Sequence, residues 1–173
     1  MTESLYMAAM QHDDTTLTIA DIIAAYEQGI DALRSSVAGM SREQILARPI
    51  PGKWSTQELV SHVADTEIYF TDRIERALVL DRPLLMDVDE RPYIQRLGYQ
   101  DFDLGEQLDL FTALRRHVVR ILKMKPTEAW QRTAIHTGTG LVTVRQLVLQ
   151  SVRHARHHLP FIAEKRAALS KGK

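Results

Sequence analysis

The 173-residue sequence contains no cysteine, which excludes disulfide bonds, thiolate metal ligands and a cysteine nucleophile. Histidine, aspartate and glutamate are therefore the strong metal ligands that remain. The sequence also has no excess of charge, because its 22 basic and 22 acidic side chains balance. Such a chain shows no sign of a nucleic-acid interface or of attraction to an anionic membrane surface, so neither is expected as a partner.

Long apolar runs are missing as well. No apolar segment reaches 18 residues, and the N-terminal residues lack the basic region and apolar stretch of a signal peptide. Gly138 and Gly140 form only a GxG, which is too little for a phosphate-binding loop. These features predict a soluble cytoplasmic protein. The length fits a single domain over residues 1–173, with residues 1–15 as an N-terminal arm.

Four segments show apolar residues at helical spacing, and each begins with a capping signal. In each segment Thr, Ser or Asp is followed three residues later by an acidic residue or glutamine, which is the capping-box pattern. The segments run from Thr18 to Val37, from Trp54 to Leu80, from Asp103 to Leu122 and from Thr143 to Arg166. A shorter helical turn is expected between Ser41 and Ala47. The pattern predicts an all-α fold.

Two connections differ from the helical segments. Residues 81–100 contain two prolines and one glycine and have no sustained periodicity, which predicts a long crossover between the second and third helices of a four-helix bundle. Asp87, Asp89 and Glu90 in this crossover are expected to be solvated. Residues 130–144 alternate around two glycines and predict a turn or short hairpin, so His136 could face either the site or solvent.

Two histidines lie in the middle of the apolar stripe of the fourth predicted helix. His154 and His158 are one turn apart, about 6 Å along the helix axis, and face the same side. This spacing suits two ligands of one metal ion. The alternative is a pair of core histidines that form hydrogen bonds with their neighbours, since buried imidazoles need partners for their ring nitrogens. His157 is expected at the rim of the stripe or in solvent.

A third histidine lies on the inner face of the second predicted helix. The Ser55 cap fixes the phase of that helix and directs His62 inward, about two turns from the start. A lone histidine on such a face is more often structural. Beside His154 and His158, however, His62 supplies the third imidazole of an open metal site. His117 lies next to the edge of the third helix's stripe and is expected at the surface.

Two segments resemble the signature segments of the DinB/YfiT-like superfamily: GKWSTQELVSHVADTE and TVRQLVLQSVRHARHHLPFI. The resemblance covers about residues 17–165. It implies a four-helix bundle with a long crossover, commonly dimeric, and a divalent metal bound by three histidines that correspond to His62, His154 and His158. His157 has no counterpart in the family. Nitrogen ligands suit zinc or nickel, and manganese or iron are also open.

Two catalytic functions are compatible with this reading. The first is a metal-dependent hydrolase acting on a small molecule, with Asp65, Glu58 or His136 as candidate proton acceptor. The second is a transferase or isomerase in which the metal binds a low-molecular-weight thiol, such as bacillithiol or mycothiol, as thiolate. The absence of cysteine is no obstacle to the second function, because the thiol would come from outside the protein.

A third function is a metal-binding or stress-response module without catalytic activity. Such a module is expected to form a homodimer, and Val60, Ile68 and Ile74 predict an apolar surface on the second helix that could mediate it. The sequence leaves these three functions open.

Overall fold

A computed structural model describes residues 16–171, in which four long helices pack side by side. They are α1 (Ile19–Val37), α3 (Thr56–Val79), α5 (Leu104–Lys123) and α6 (Val144–Lys171), and the short helix α2 (Arg42–Leu46) precedes α3. Helices α1 and α3 each pack against both α5 and α6. This arrangement confirms the predicted four-helix bundle. The predicted N-terminal arm lies outside the described residues.

The helices begin where the capping signals predict. Ser55 accepts a hydrogen bond from the Glu58 backbone N–H, and the Glu58 carboxylate accepts one from the Ser55 backbone N–H. The same reciprocal pair forms at Thr18, Ser41 and Thr143. Each box satisfies two backbone donors that a helix start would otherwise leave unpaired. The rotation of α3 about its axis is therefore fixed from its first turn.

The apolar core consists of two clusters. The first lies around Ile22, Ile74 and Leu147, next to the small sheet described below. The second lies around Leu59, Val63 and the small side chain of Ala155. The second cluster contains the helix neighbours of the inward-facing histidines. Burial of this surface is what brings α3 and α6 together at that level.

The connection between α3 and α5 contains more regular structure than the sequence predicted. It includes strand β1 (Leu84–Leu85), helix α4 (Arg91–Arg96) and a 3₁₀ turn (Tyr99–Asp101). Strand β1 pairs in parallel with β2 (Thr133–His136), which pairs antiparallel with β3 (Gly140–Thr143). The predicted hairpin is thus confirmed. The two-residue strand escaped prediction because its partner lies 51 residues later, and so short a segment has no period of its own.

The prediction of an exposed apolar surface on the second helix is wrong for two of its three residues. Val60 and Ile74 are completely buried, whereas Ile68 is 42% exposed. Helix α3 contacts α2, α5 and α6, so most of its circumference is covered. Periodicity alone does not show how many neighbours a helix has. Dimer formation stays a prediction. Within residues 16–171 no helix is long and apolar enough to cross a lipid bilayer.

Candidate metal centre

Three histidines from two helices meet between α3 and α6. His62 comes from α3, and His154 and His158 are one turn apart on α6. The Nε2 atom of His154 lies 3.1 Å from Nε2 of His62 and 3.2 Å from Nε2 of His158. One nitrogen from each ring lies within 4.8 Å of the others. The predicted inward orientation and grouping of the three imidazoles is confirmed.

Nδ1 of His62, the ring nitrogen that faces away from the other two histidines, lies near an oxygen that can accept its proton in a hydrogen bond. The Thr66 hydroxyl donates to the His62 carbonyl oxygen at 2.7 Å, and its oxygen lies 3.4 Å from Nδ1 of His62. A long hydrogen bond from Nδ1–H to this oxygen would keep the proton on Nδ1 and leave the Nε2 lone pair facing the other rings. Nδ1 of His158 is buried without a hydrogen-bond partner among the described residues.

All three imidazoles are neutral near pH 7. Burial lowers the pKa of His62 to about 4. Burial, together with the neighbouring imidazoles, lowers the pKa of His154 and of His158 well below the usual range. Because the neutral ring is the form that binds a metal ion, the site is ready to bind one without first losing protons.

The spacing between His154 and each of the other two imidazoles fits a divalent metal ion. With metal–nitrogen distances of about 2.0–2.1 Å, ligand nitrogens lie about 2.8–3.4 Å apart, depending on whether the coordination angle is right-angled or tetrahedral. The separations of 3.1 and 3.2 Å fall within that interval. A neutral imidazole has one N–H, so if each ring carries its proton on Nδ1, three lone pairs face one another. These contacts suit a shared cation better than a set of structural hydrogen bonds.

An open cleft of about 460 Å³ lies next to the histidines. Trp54 separates the cleft from His62: its ring centroid is 5.3 Å from that of His62, and Trp54 also lines the cleft. The other lining residues are Arg48, Gly52, Lys53, Glu58, Ile94 and Gln95. A small molecule bound in the cleft would therefore lie against the ring that packs on His62.

Two carboxylates were predicted as candidate proton acceptors, and they differ in their surroundings. Both oxygens of Glu58 bind Arg48, at 2.6 and 3.0 Å, and one also accepts from the Ser55 N–H. Burial raises the pKa of Glu58, but these hydrogen bonds outweigh it and hold the pKa below its usual value. Asp65 accepts one hydrogen bond, at 2.5 Å, from the hydroxyl of Tyr99. Glu58 is thus fully engaged as cap and ion-pair partner.

The third candidate, His136, lies elsewhere. It ends β2, where Nδ1 accepts a hydrogen bond from the Gly138 N–H and Nε2 lies 3.8 Å from Asp87. Burial, and after it the charge of Arg73, lowers the pKa of His136. Arg73 follows His62 by eleven residues on α3, about 16 Å along the axis. His136 is therefore outside the histidine cluster.

Two further histidines, His117 and His157, are exposed, as predicted. His157 points outward from α6, and His117 pairs with Glu75 at 2.6 Å on the surface. In the crossover, Asp87, Asp89 and Glu90 are also exposed, in agreement with the prediction that they are solvated.

Comparison with known proteins decides the family. The sequence matches the DinB superfamily over residues 25–162. The chain belongs to this superfamily. It is 24% identical over 165 residues to a protein of Oceanobacillus iheyensis, with 94% of this chain and 95% of the relative covered. It is 25% identical to a protein of Bacillus licheniformis, with 81% and 80% covered. Both relatives are named as candidate metal-dependent hydrolases.

Two solved structures share the fold of this chain. YfiT of Bacillus subtilis superimposes with a TM-score of 0.83 at 20% identity, covering 92% of this chain and 93% of YfiT. It is described as a probable metal-dependent hydrolase with an unusual four-helix bundle topology. A mycothiol-dependent maleylpyruvate isomerase superimposes with a TM-score of 0.67 at 12% identity, covering 83% of this chain and 60% of the isomerase. These similarities confirm the predicted bundle.

A buried polar network below the histidines of this DinB chain was not predicted. Arg115 of α5 binds Glu67 of α3 and the Ser151 hydroxyl and carbonyl of α6. Ser151 lies about one turn before His154, so the network adjoins the histidine cluster. The sequence holds a signal for it, because Arg115 occupies the apolar stripe of its helix, four residues after Phe111.

Proposed function

We propose that this chain is a metal-dependent enzyme in which His62, His154 and His158 bind one divalent ion. The observation that carries the proposal is the convergence of three neutral imidazoles, in which Nε2 of His154 lies 3.1 and 3.2 Å from Nε2 of the other two, with no carboxylate among them. The names of the relatives, which describe metal-dependent hydrolases, support the same function. Zinc or nickel suits this all-nitrogen ligand set, and manganese or iron also binds imidazole.

Three protein ligands favour a catalytic site over a structural one. Structural zinc sites are closed by four protein ligands, whereas catalytic sites keep a position for water or substrate. A divalent ion bound here would supply Lewis-acid activation of water and polarise a substrate oxygen. The neutral histidines contribute no charge of their own, so the site would retain the full charge of the ion. Hydrolysis of a small molecule bound in the Trp54 cleft is the reaction we propose.

Asp65 is the carboxylate best placed to accept a proton in this reaction. It lies three residues after His62 on α3, on an adjoining part of the helix surface. Tyr99, which is buried, donates to Oδ2 of Asp65 and thereby fixes the orientation of the carboxylate. The second oxygen, Oδ1, would receive the proton. Asp65 thus combines a position near His62 on the same helix with a fixed orientation, and a general base requires both.

Thiol-dependent group transfer is a second candidate. It is favoured by the shared fold of a mycothiol-dependent maleylpyruvate isomerase. With no cysteine in the sequence, the thiol would have to be a separate small molecule. The three histidines and their ion would then hold its sulfur in the deprotonated, nucleophilic form.

Metal content tests the proposal. Full-length protein purified without chelator or affinity tag is analysed for metals, beside the variants His62→Ala, His154→Ala and His158→Ala. We expect close to one equivalent in the wild type and loss of metal in each variant with helical content retained. The matched control is His157→Ala, which removes an exposed imidazole from the same helix turn and should keep its metal. A wild type that stays metal-free after incubation with zinc, nickel, manganese and iron would contradict the proposal.

The two reactions are separated by parallel assays. Metal-loaded protein is tested on a panel of ester, amide and lactone substrates, and separately on a model electrophile with several thiols. Metal-dependent hydrolysis that falls by about 10²–10⁴ in Asp65→Asn, with metal retained, supports the first function. The control is Asp72→Asn, an exposed carboxylate of α3 that pairs with Arg76. Metal-dependent loss of the electrophile only when a thiol is present supports the second function.

A further inference from the structure

The small sheet has a row of apolar side chains on its outer face. Leu84 of β1 pairs with Ile135 of β2, and Ile135 pairs with Leu141 of β3. Paired residues of neighbouring strands point to the same side of a sheet, with their β-carbons about 5 Å apart. Leu84, Ile135 and Leu141 therefore form a row across all three strands, which we call the apolar row.

The apolar row is exposed. Its three side chains are between 44% and 65% exposed, and Met86, which directly follows β1, is 62% exposed. The opposite face of the sheet is covered, because Leu85, Ala134 and Val142 belong to the buried core. Single exposed apolar residues are ordinary, but a contiguous group on one face marks a surface that another segment covers.

The described part of the chain begins beside this sheet. The Leu17 carbonyl oxygen accepts a hydrogen bond of 2.7 Å from the guanidinium of Arg145. Arg145 follows Thr143, the last residue of β3, by two positions, and β3 is an edge strand of the sheet within residues 16–171. Ile19 packs against the core cluster that contains Val142 of β3. The residues before Leu17 are therefore attached next to β3.

The sequence before Leu17 contains an apolar segment of matching size. Residues 5–10 read LYMAAM and include no charged side chain. They precede Leu17 by 7 to 12 positions, which an extended chain spans in about 24–40 Å. The apolar row crosses three strands about 4.8 Å apart, a width of about 10 Å. The connection is thus long enough to bring residues 5–10 onto the apolar row.

A second copy of the chain fits the apolar row less well. Stable protein–protein interfaces bury about 800 Å² of each partner and involve about 20–30 residues a side. The apolar row and Met86 provide only four side chains, which matches the footprint of one short segment. A segment of the same chain also has a high effective concentration at the sheet, so it can occupy a surface too small to hold a separate molecule.

We propose that residues 5–10 pack across the outer face of the sheet and cover the apolar row. The contact would join the N-terminal segment to β1, which lies in the crossover that also supplies Ile94 to the Trp54 cleft. The N-terminal segment would thereby help to hold the crossover against the bundle. The inference is independent of the proposed metal-dependent function, since it involves none of the three clustered histidines.

A spin label on the N-terminal segment tests the contact. Because the sequence has no cysteine, Ser4→Cys gives a single attachment site in the full-length protein. We expect the label to cause loss of the methyl signals of Ile135 and Leu141, with recovery when the label is reduced. The internal control is Ile45 of α2, which lies beyond the far end of α1, a helix about 28 Å long, and should keep its signal.

Two further samples identify the occupant of the apolar row. In the labelled protein, Leu5→Asp combined with Met7→Asp should restore the signals of Ile135 and Leu141, because charged side chains do not pack on an apolar surface. The matched control places the same two charges outside residues 5–10, with Gln11→Asp and Thr15→Asp, and should leave the signal loss unchanged. A mixture of spin-labelled protein and isotope-labelled protein without a spin label should show no loss.

Three results would overturn the inference. The first is a label that leaves the signals of Ile135 and Leu141 at full intensity, or weakens them no more than that of Ile45. The second is a signal loss that the two aspartates at positions 5 and 7 do not relieve. The third is a loss of signal in the mixed sample, which would show that a second copy of the chain covers the apolar row.

Discussion

Arg115 and Glu67 form an ion pair that the bundle encloses completely, with 0% and 2% of the two side chains exposed. The guanidinium lies between the rings of Tyr26 and Phe111, at 4.4 and 4.5 Å from their centroids. The Tyr26 hydroxyl donates to Glu67, and so does the Ser151 hydroxyl, at 3.0 Å from each carboxylate oxygen. The pair therefore connects all four long helices just below the histidines.

Replacing Glu67 by glutamine should destabilise the protein by about 3–5 kcal/mol, because the buried Arg115 charge would lose its counter-ion. The measurement is urea unfolding followed by circular dichroism. The control is Glu27→Gln, whose carboxylate pairs with Lys123 on the surface, about half exposed, and should change stability by less than about 1 kcal/mol. Equal losses in the two variants would show that the buried pair contributes no more than a surface pair.

Replacing Gly29 by alanine should destabilise the protein, although glycine to alanine in a helix normally stabilises it by about 1 kcal/mol. A β-carbon at Gly29 would lie 2.0 Å from Nη1 of Arg115. That nitrogen donates to the Tyr26 carbonyl oxygen at 2.8 Å, so Arg115 cannot move without losing a buried hydrogen bond. Overpacking of this kind costs about 1–3 kcal/mol.

Thermal unfolding of a double-mutant cycle checks the Gly29 prediction. In an Arg115→Leu background the guanidinium is gone, and Gly29→Ala should lose most of its effect. If Gly29→Ala destabilises the Arg115→Leu variant as much as the wild type, the clash does not involve Arg115.

The chelated protein should lose stability as the pH falls from about 6.5 to about 4. Burial lowers the pKa of His62 from 6.5 to about 4, so between these values the unfolded chain binds a proton that the folded chain does not. Stability therefore rises with pH across this window, and His62 alone contributes up to about 3 kcal/mol that is lost at the acid end. The pKa values of His154 and His158 are shifted in the same direction and steepen the loss.

Urea unfolding at about pH 4.5 and about pH 7 measures this dependence. His62→Asn should reduce the difference in stability between the two pH values. If the stability of His62→Asn differs between the two pH values as much as that of the wild type, His62 is not the source of the pH dependence.

Replacing Ser55 by alanine should cost about 1–2 kcal/mol of stability, at the upper end for a helix cap. The Ser55 side chain is completely buried, accepts from the Glu58 N–H at 3.0 Å and donates to Gln100 at 2.6 Å. The matched control is Ser41→Ala, which removes an exposed cap from a five-residue helix and should have a smaller effect. Comparable unfolding midpoints for the two variants would contradict the prediction.

The position of the histidines could be predicted because it depends on local rules. The Ser55 cap sets the phase of α3 and so the direction of His62, and the spacing of His154 and His158 places them on one face of α6. The four-helix arrangement followed from the same periodicity together with the family resemblance. The direction of each histidine and the start of each helix are determined by residues within about two helical turns of one another.

Features that depend on distant segments could not be predicted in the same way. The engagement of Glu58 depends on Arg48, which reaches it from an irregular proline-containing loop. The burial of Val60 and Ile74 depends on how many helices surround α3, and strand β1 depends on a partner 51 residues later. A single sequence shows the preferences of each segment, but the contacts between segments are decided by packing.

The caps at Ser55 and Thr143 have a consequence for how such proteins diversify. The two helices that supply the histidine cluster, α3 and α6, each begin at a capping signal of four residues, so their starts do not depend on the length or composition of the preceding loop. Insertions in the crossover, which supplies Ile94 and Gln95 to the cleft, can therefore reshape the cleft wall while the histidines stay in register. Evolution, or a protein engineer, can alter the shape of the cleft in this scaffold by changing the loop while the histidine cluster stays intact.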